Sequence, residues 1–178
     1  MIAFTINGRI CTKSLLILKI NSKIINNTIT TESVKSELDS NFVSKDKIDL
    51  SSLKQIKITE EIINKYKKDY PVLRHVRCKD TKEYKCDGYM WLNNNELVCH
   101  VGSCEYTDDH TKWIVSLEIL PKYKGHGLSK QILDFAVHKM NCKYLSVNKS
   151  NKLAKYIYDQ YGFKVYQEDK NMYYMVLK

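Results

Sequence analysis

The chain has 178 residues, of which 43% are hydrophobic and 28% are charged, and its formal net charge is +9. This length suits one domain with a full hydrophobic core and an extension, and it leaves little room for a second domain. No stretch approaches the roughly 18 to 20 apolar residues of a membrane span, and residues 1–20 lack the long apolar core of a signal peptide. We therefore expect a soluble, cytoplasmic protein with no membrane partner.

Residues 1–52 are rich in Ser, Thr, Asn, Lys and Ile and carry no recognisable chemistry. Two pieces have strand-like patterns, Ile2 to Ile6 and Leu15 to Ile25. The polar stretch from Thr30 to Ser52 predicts a linker or a loosely packed extension. We therefore predict an N-terminal extension of unknown role over residues 1–52 and one folded domain over residues 53–178.

Regular structure is predicted from Leu53 onward. The alternation from Leu53 to Ile58 indicates a strand, and Thr59 is typical of a helix cap, with the helix running through Tyr66 and ending before Pro71. Strand-like runs follow at residues 73–78, 84–92 and 96–106. Three consecutive asparagines at residues 93–95 predict a hairpin turn, because Asn tolerates left-handed backbone angles.

The last third of the chain alternates strands with helices. We predict a strand at residues 112–120, a glycine turn, a helix at 129–140, a strand at 143–147, a helix at 151–161, and strands at 163–167 and 172–177. Together the elements predict an α/β (α+β) fold with a central mixed, mostly antiparallel sheet flanked by helices. Strands 112–120 and 143–147 should be parallel neighbours joined by a crossover.

The glycine turn, Pro121 to Ser129, joins a strand to a helix and therefore predicts an anion site. The first amides of a helix have no intrahelical partner and carry partial positive charge. Gly125 and Gly127 lack the Cβ atoms that would keep a phosphate away from these amides. A short G-x-G alone is weak evidence, because many turns share it.

The positive charge is concentrated around this turn. Residues 121–178 hold eleven lysines against four acidic residues, whereas residues 1–120 are nearly balanced. The distribution suits a small polyanionic ligand in the C-terminal third, although a coding bias toward Lys, Asn and Ile would also produce it. Arginine, the preferred reader of bases, occurs only three times, so nucleic-acid binding is possible but not favoured.

Six cysteines occur in the chain, and none forms a C-x-x-C pair or lies near a paired-histidine spacing. The strong zinc signatures are therefore missing, and we expect no metal. In a chain of this length without a secretion signal, free buried thiols are the expected state.

Two motifs flank the helix predicted at residues 129–140. The first has the form Q/R-x-x-G-x-G/A and reads Lys122-Tyr123-Lys124-Gly125-His126-Gly127, after a strand that ends in Leu117-Glu118-Ile119-Leu120-Pro121. The second, N-x-x-A-x-x-x-Y-x-x-x-G-F, is filled at all five positions by Asn151, Ala154, Tyr158, Gly162 and Phe163. Over about residues 53–178 the chain closely resembles the GNAT superfamily of acyl-CoA-dependent N-acyltransferases. Lys122 departs from the usual Gln or Arg and keeps the charge without the planar fork.

This resemblance implies that acetyl-CoA is the acyl donor and that a primary amine attacks it directly. The loop would hold the pyrophosphate of coenzyme A, and the exposed main chain of Leu117, Glu118 and Ile119 would pair with the pantetheine arm. The Ile119 amide would polarise the thioester carbonyl. Asn151 could bond the pantetheine or simply cap its helix. The remaining implied cofactor-binding residues are Lys122, Lys124, Gly125, His126, Gly127, Leu128, Ser129 and Ala154.

The resemblance also implies catalytic roles. Tyr158 occupies the family position of the acid that protonates the departing thiolate, and the alternative is a packing tyrosine. Glu118 is the leading candidate for the general base, acting directly or through water. Histidine titrates near neutrality, so three histidines remain weaker candidates: His75, His100 and His110.

The acceptor is not encoded in any motif, and we expect a small-molecule or protein amine. Acidic residues between 83 and 109 could attract a cationic amine such as a polyamine, an aminoglycoside or a lysine side chain, although solvated loop acids explain them equally well. One alternative is a non-catalytic module that keeps the CoA-binding fold for assembly or binding, which the retention of Tyr158 disfavours. Another is an acetyltransferase acting on an RNA-linked amine, which would employ the surplus lysines.

Overall fold

A computed structural model of the chain describes residues 4–6, 9–11, 45–76 and 80–178. β1 (Phe4–Ile6) and β2 (Arg9–Cys11) form an antiparallel pair, and β1 falls within the first predicted strand. The strand predicted at Leu15 to Ile25 lies outside the described residues. None of the helices in the described part of the chain has the length and apolar character that crossing a bilayer would require.

Within the described residues, seven strands form the central sheet in the order β3-β4-β5-β6-β7-β9-β8. All neighbours are antiparallel except β6 and β7, which are parallel. The mixed, mostly antiparallel sheet and its one parallel pair are therefore confirmed. The strands are β3 (Lys54–Lys57), β4 (Tyr84–Asn93), β5 (Glu96–Tyr106), β6 (Lys112–Ile119), β7 (Tyr144–Asn148), β8 (Phe163–Glu168) and β9 (Met172–Leu177).

Three helices lie where the sequence predicts them. α1 (Glu60–Tyr66) begins after Thr59, whose hydroxyl accepts a hydrogen bond from the Ile62 N–H at 3.3 Å. α2 (Leu128–Asp134) continues as a π-helix, Phe135–Lys139, and α3 (Lys152–Tyr161) follows β7. Short 3₁₀ helices occur at Leu50–Ser52, Pro71–His75 and Pro121–Tyr123.

The strand predicted at residues 73–78 is wrong over its described part, because a 3₁₀ helix occupies Pro71–His75. Pro71 fixes a helical φ at the first position of the turn. Leu73 lies within this helix and Val76 directly follows it, and both are buried in the same cluster. The apolar residues that indicated a strand are therefore buried by a helical turn and the residue after it.

The hydrophobic core lies on both faces of the sheet. On one face, α2 and α3 pack over residues such as Val101 and Leu145, and Leu117 and Ile119 of β6 contact this cluster. The other face carries Met90 together with Leu73 and side chains of α1. Successive strand residues point to opposite faces, so β6 presents Leu117 and Ile119 to the α2 side and Glu118 to the α1 side.

The sheet opens at the carboxyl end of β6. Pairing with β7 is confined to Trp113 with Tyr144 and Ile114 with Leu145. On its other side β6 stays paired with β5, and the Leu120 N–H donates to the Val98 carbonyl at 2.9 Å. Since N–H groups alternate between the two edges of a strand, the N–H groups of Leu117 and Ile119 face the opening toward β7.

Candidate active site

The glycine loop between β6 and α2 needs its glycines for conformational reasons. Gly125 has φ +88° and Gly127 has φ +76°, a region that side chains with a Cβ atom rarely adopt. Gly127 is also the residue that caps the start of α2. The chain can therefore turn sharply out of the strand and expose the first amides of the helix.

The donors of this loop are available to a ligand. Within the described residues, the amides of Gly125, His126 and Gly127 have no hydrogen-bond partner, and the first amides of α2 lack an intrahelical acceptor. Leu128 is 1% exposed, so only its main chain can meet a ligand, whereas Ser129 is half-buried at the loop. A row of unbonded amides on a glycine turn is suited to an anion.

Glu96 anchors the start of the loop. Its Oε2 accepts hydrogen bonds from Lys122 Nζ at 2.6 Å and from the Tyr123 hydroxyl at 2.9 Å. These bonds from Lys122 and Tyr123 hold the pKa of Glu96 below its ordinary value. Lys122, predicted to shape the loop, is thus paired with a carboxylate. In the sequence, Glu96 is one of the acids that could attract an acceptor, and its pairing with the loop is visible only in three dimensions.

A groove between α2 and α3 continues from the loop, with a volume of about 690 Å³. The Tyr161 hydroxyl donates to Asp134 Oδ1 at 2.8 Å and ties the two helices together. A groove of this size accommodates a ligand well beyond a pyrophosphate. Its walls include Gly127, Ser129, Lys130, Val137, Ile157 and Gln160.

Tyr158 lies on α3 and is half-buried, with its ring edge-on to Phe163 at a centroid distance of 6.2 Å. Burial raises the pKa of Tyr158 to about 12. Its hydroxyl forms no hydrogen bond with any residue that the structure describes. The ring therefore packs, as the alternative interpretation expects, while the hydroxyl keeps its proton and remains able to donate it.

Asn151 acts as a helix cap. Its Oδ1 accepts a hydrogen bond from the Ala154 N–H at 3.2 Å at the start of α3. Ala154 itself is half-buried and packs against the core. The capping role predicted as one of two alternatives for Asn151 is therefore present in the fold.

Two of the candidate bases lie opposite each other across β5 and β6. His100 pairs in register with Glu118, so the two side chains share the α1 face of the sheet. His100 is 1% exposed, and its Nε2 lies 2.7 Å from the hydroxyl of Ser116. Ser116 is not predicted from the sequence, because a serine in a strand gives no signal until the register of its neighbours is known.

The other two histidines lie elsewhere. His110 is exposed in the turn between β5 and β6, with its Nδ1 3.3 Å from Glu105 Oε1. This turn precedes β6, so His110 lies at the opposite end of that strand from Glu118. His75 ends the 3₁₀ helix at Pro71–His75.

The cysteines within the described residues are free thiols, as expected. Cys99, Cys104 and Cys142 are buried, and Cys86 is half-buried beside Cys104. Burial raises the pKa of Cys99 to about 12 and that of Cys142 to about 11. Both of these thiols stay protonated near neutrality, which makes them poor nucleophiles. The side chains of Cys11 and Cys78 lie outside the described residues.

Comparison with known proteins identifies the family. Residues 56–163, more than half of the chain, match the Acetyltransferase (GNAT) family. Among curated proteins no sequence match is found.

Several solved structures share the fold. They include NAA60 of Arabidopsis thaliana in complex with acetyl-CoA (13% identity, TM-score 0.52, 70% of this chain and 97% of that one). A second is the ribosomal-protein-S18-alanine N-acetyltransferase of Escherichia coli (14% identity, TM-score 0.51, 70% of this chain and 92% of that one). A third is an IAA acetyltransferase of Bacillus cereus (13% identity, TM-score 0.51, 70% of this chain and 98% of that one). The family match and the shared fold agree with the glycine loop and the opened sheet, and the chain belongs to the GNAT acetyltransferase family.

Proposed function

We propose that this protein is an acetyl-CoA-dependent N-acetyltransferase that acts on a primary amine by direct attack. The observation that carries the proposal is the glycine loop, whose amides at residues 125–127 are unbonded within the described part of the chain. The loop lies between the strand whose edge opens and a groove large enough for the rest of a coenzyme. Membership of the family supports the same assignment.

The loop fits the phosphate part of coenzyme A. Acetyl-CoA supplies an activated acyl group as a thioester, and its pyrophosphate would bind the amides of residues 124–129. Lys124 is exposed at the loop, and Lys130 lies on the groove, so both could add charge. Lys122 would contribute through Glu96, by fixing the start of the loop.

The edge of β6 would hold the pantetheine arm. The main-chain groups of Leu117 and Ile119 face the opening, where an extended ligand can pair as an added strand does. In this arrangement the Ile119 N–H donates a hydrogen bond to the carbonyl oxygen of the acyl group. A donor fixed on a strand stabilises the negative charge that develops on this oxygen during attack.

Tyr158 would act as the acid. Its pKa of about 12 keeps the hydroxyl protonated at neutral pH, and no residue among those described accepts a hydrogen bond from it. The raised pKa makes this hydroxyl a weaker acid than an ordinary tyrosine, but it guarantees that a proton is present for the sulfur that leaves the acyl group. Tyr158 can therefore donate its proton to the departing sulfur.

Glu118 would act as the base, with His100 as its positioning residue. The two residues are direct cross-strand neighbours, and the hydrogen bond between His100 Nε2 and Ser116 fixes the imidazole ring. A carboxylate in this place can accept the proton of the attacking amine, directly or through water. The buried imidazole limits the conformations that Glu118 can adopt beside it.

The acceptor is proposed only as a primary amine. Two of the acids that could have attracted a cation are already paired with a lysine: Asp87 with Lys57, and Glu96 with Lys122. These pairs reduce the charge available to a polyamine or a lysine side chain. No class of primary amine is therefore favoured as the acceptor.

The proposal is tested by thiol release from acetyl-CoA in the presence of a panel of small-molecule, peptide and RNA-linked amines. We expect release with at least one class, and a decrease in kcat on the order of 100-fold in Tyr158→Phe, because the acid is lost. Tyr166→Phe is the matched control, since Tyr166 is exposed on β8. Binding of acetyl-CoA without thiol release from any amine would support the non-catalytic module instead.

A further inference from the structure

Residues 45–50, here called the strap, lie against the glycine loop. They precede the family match, which starts at residue 56, and they fall within the polar stretch that predicts a linker or a loosely packed extension. The structure differs from that expectation for this segment. Leu50 is 8% exposed and belongs to the core cluster that packs around α2.

The strap binds the carbonyl groups of the loop. The Ile48 N–H donates to the His126 carbonyl at 3.1 Å, and Lys45 Nζ donates to the Lys124 carbonyl at 3.4 Å. In return, His126 Nδ1 lies 2.7 Å from the Asp46 carbonyl. Because a carbonyl oxygen only accepts, Nδ1 is the donor in this bond. The strap thus occupies acceptors of the loop and leaves its amide donors open.

Gln131 of α2 holds the strap and the loop together. Its Oε1 accepts from the Leu50 N–H at 2.8 Å, and its Nε2 donates to the Ile48 carbonyl at 2.7 Å. The same Nε2 lies 3.2 Å from the Gly127 carbonyl. One side-chain amide therefore bonds the strap as a neighbouring strand would and ties it to the residue that begins the helix.

Lys47 brings a positive charge to the same place. Its Cγ is 3.8 Å from the position that a Cβ atom would take on Gly127, and the residue is exposed. The aliphatic stem lies beside the glycine, so the flexible ammonium group can reach the loop while it stays in water. An ammonium at this position lowers the cost of bringing a phosphate to the amides.

We propose that the strap is part of the acetyl-CoA site: it fixes the loop so that its amides face the pyrophosphate, and Lys47 contributes a phosphate contact. This inference rests on the proposed function and extends it to residues outside the family match. Gln131 is then a positioning residue, and Lys47 is a binding residue. Both act on the phosphate part of the donor alone.

The first test compares two donors in full-length Gln131→Met. S-acetylpantetheine keeps the thioester but lacks the pyrophosphate. We expect KM for acetyl-CoA to rise about tenfold, because the variant loses the two hydrogen bonds from Gln131 to the strap and the one to the loop. The value of kcat and the KM for S-acetylpantetheine should stay unchanged. Gln55→Met is the matched control, since Gln55 is exposed on β3. An equal loss with both donors would indicate a merely structural role and would overturn the assignment.

The second test removes the positive charge of Lys47. Lys47→Gln should raise KM for acetyl-CoA about threefold at low salt, and the difference should vanish at high salt, because exposed charges are screened. Lys54→Gln, an exposed lysine on β3, should have no effect at either salt. If Gln131→Met and Lys47→Gln both behave as their controls while the wild type uses acetyl-CoA, the inference fails and the proposed function stands. If the wild type neither binds nor uses acetyl-CoA, the inference and the proposed function both fail.

Discussion

Tyr158 and Glu118 come from different elements, and each is suited to one direction of proton transfer. Tyr158 has a hydroxyl whose pKa is raised to about 12 by burial, so it donates a proton and does not act as a base near neutrality. Glu118 is a carboxylate whose direct cross-strand neighbour is His100. The proposed acid and base are thus separate residues that different elements of the fold hold in place.

The pH dependence of kcat/KM tests this division. Since Tyr158 ionises only near pH 12, it should cause no loss of activity on the alkaline side below about pH 11. Glu118→Gln should lower kcat/KM on the order of 100-fold and change the rising limb of the profile. The measurement is kcat/KM for acetyl-CoA as a function of pH, at a saturating concentration of the acceptor amine.

His100→Gln belongs in the same series. We expect a roughly tenfold loss of kcat/KM with a shifted rising limb, because the imidazole is proposed to position the base. His110→Gln is the matched control, since His110 is exposed at the other end of β6. Melting curves separate loss of fold from loss of positioning. A profile for His100→Gln identical to that of His110→Gln would remove His100 from the site.

The sequence could name these residues but could not bring His100 and Glu118 together. Their pairing depends on the register of β5 with β6, and that register shifts at an irregularity between Gly102 and Ser103. One extra residue changes which side chains share a face. Local composition carries no information on such a shift.

At the scale of elements, the glycine loop is the feature that the sequence predicted best. Its two glycines adopt the positive φ values that only glycine adopts readily. Positions of this kind depend on local backbone geometry, so a short motif is sufficient to find them. The same holds for the Thr59 and Asn151 caps, which were predicted from residue type and observed as hydrogen bonds.

Two substitutions at Gly125 should separate the effect of the backbone conformation of the loop from the effect of an added negative charge. Gly125→Asn should retain weakened acetyl-CoA binding, because Asn tolerates positive φ. Gly125→Glu should abolish binding, because its carboxylate would repel a phosphate at the amides. Isothermal titration calorimetry measures both, with Gln167→Glu on β8 as a control that adds a remote carboxylate. Equal affinities for the two Gly125 variants would contradict the placement of the phosphate on this loop.

The elements that the sequence missed depend on tertiary contacts. The run at residues 73–78 is predicted as a strand, yet Leu73 lies in a 3₁₀ helix, and Leu73 and Val76 enter one buried cluster. A short apolar run is ambiguous without its neighbours. The strap is a second case, because its order comes from main-chain bonds to His126 and from the Gln131 amide. Its polar composition predicts no such contacts.

At the scale of the whole molecule, the lysine excess of residues 121–178 divides into lysines that pair with acidic residues and lysines that lie near the loop. Part of the lysine excess in residues 121–178 is used locally, as in the pairs of Lys122 with Glu96 and Lys149 with Glu168. Lys124 and Lys130, near the loop, form no ion pair within the described residues. Together with Lys47, these two lysines place positive charge where the strap, the loop and the groove meet, as a site for a polyanionic coenzyme requires.

Calorimetric titration of the full-length protein with acetyl-CoA, at low and at high salt, tests the central claim most directly. The account predicts binding at one site per chain, an affinity that falls as salt rises because the phosphates meet lysines and amides, and a raised melting temperature with bound ligand. Acetyl-CoA that produces neither heat of binding nor a shift in melting temperature at low salt would contradict it.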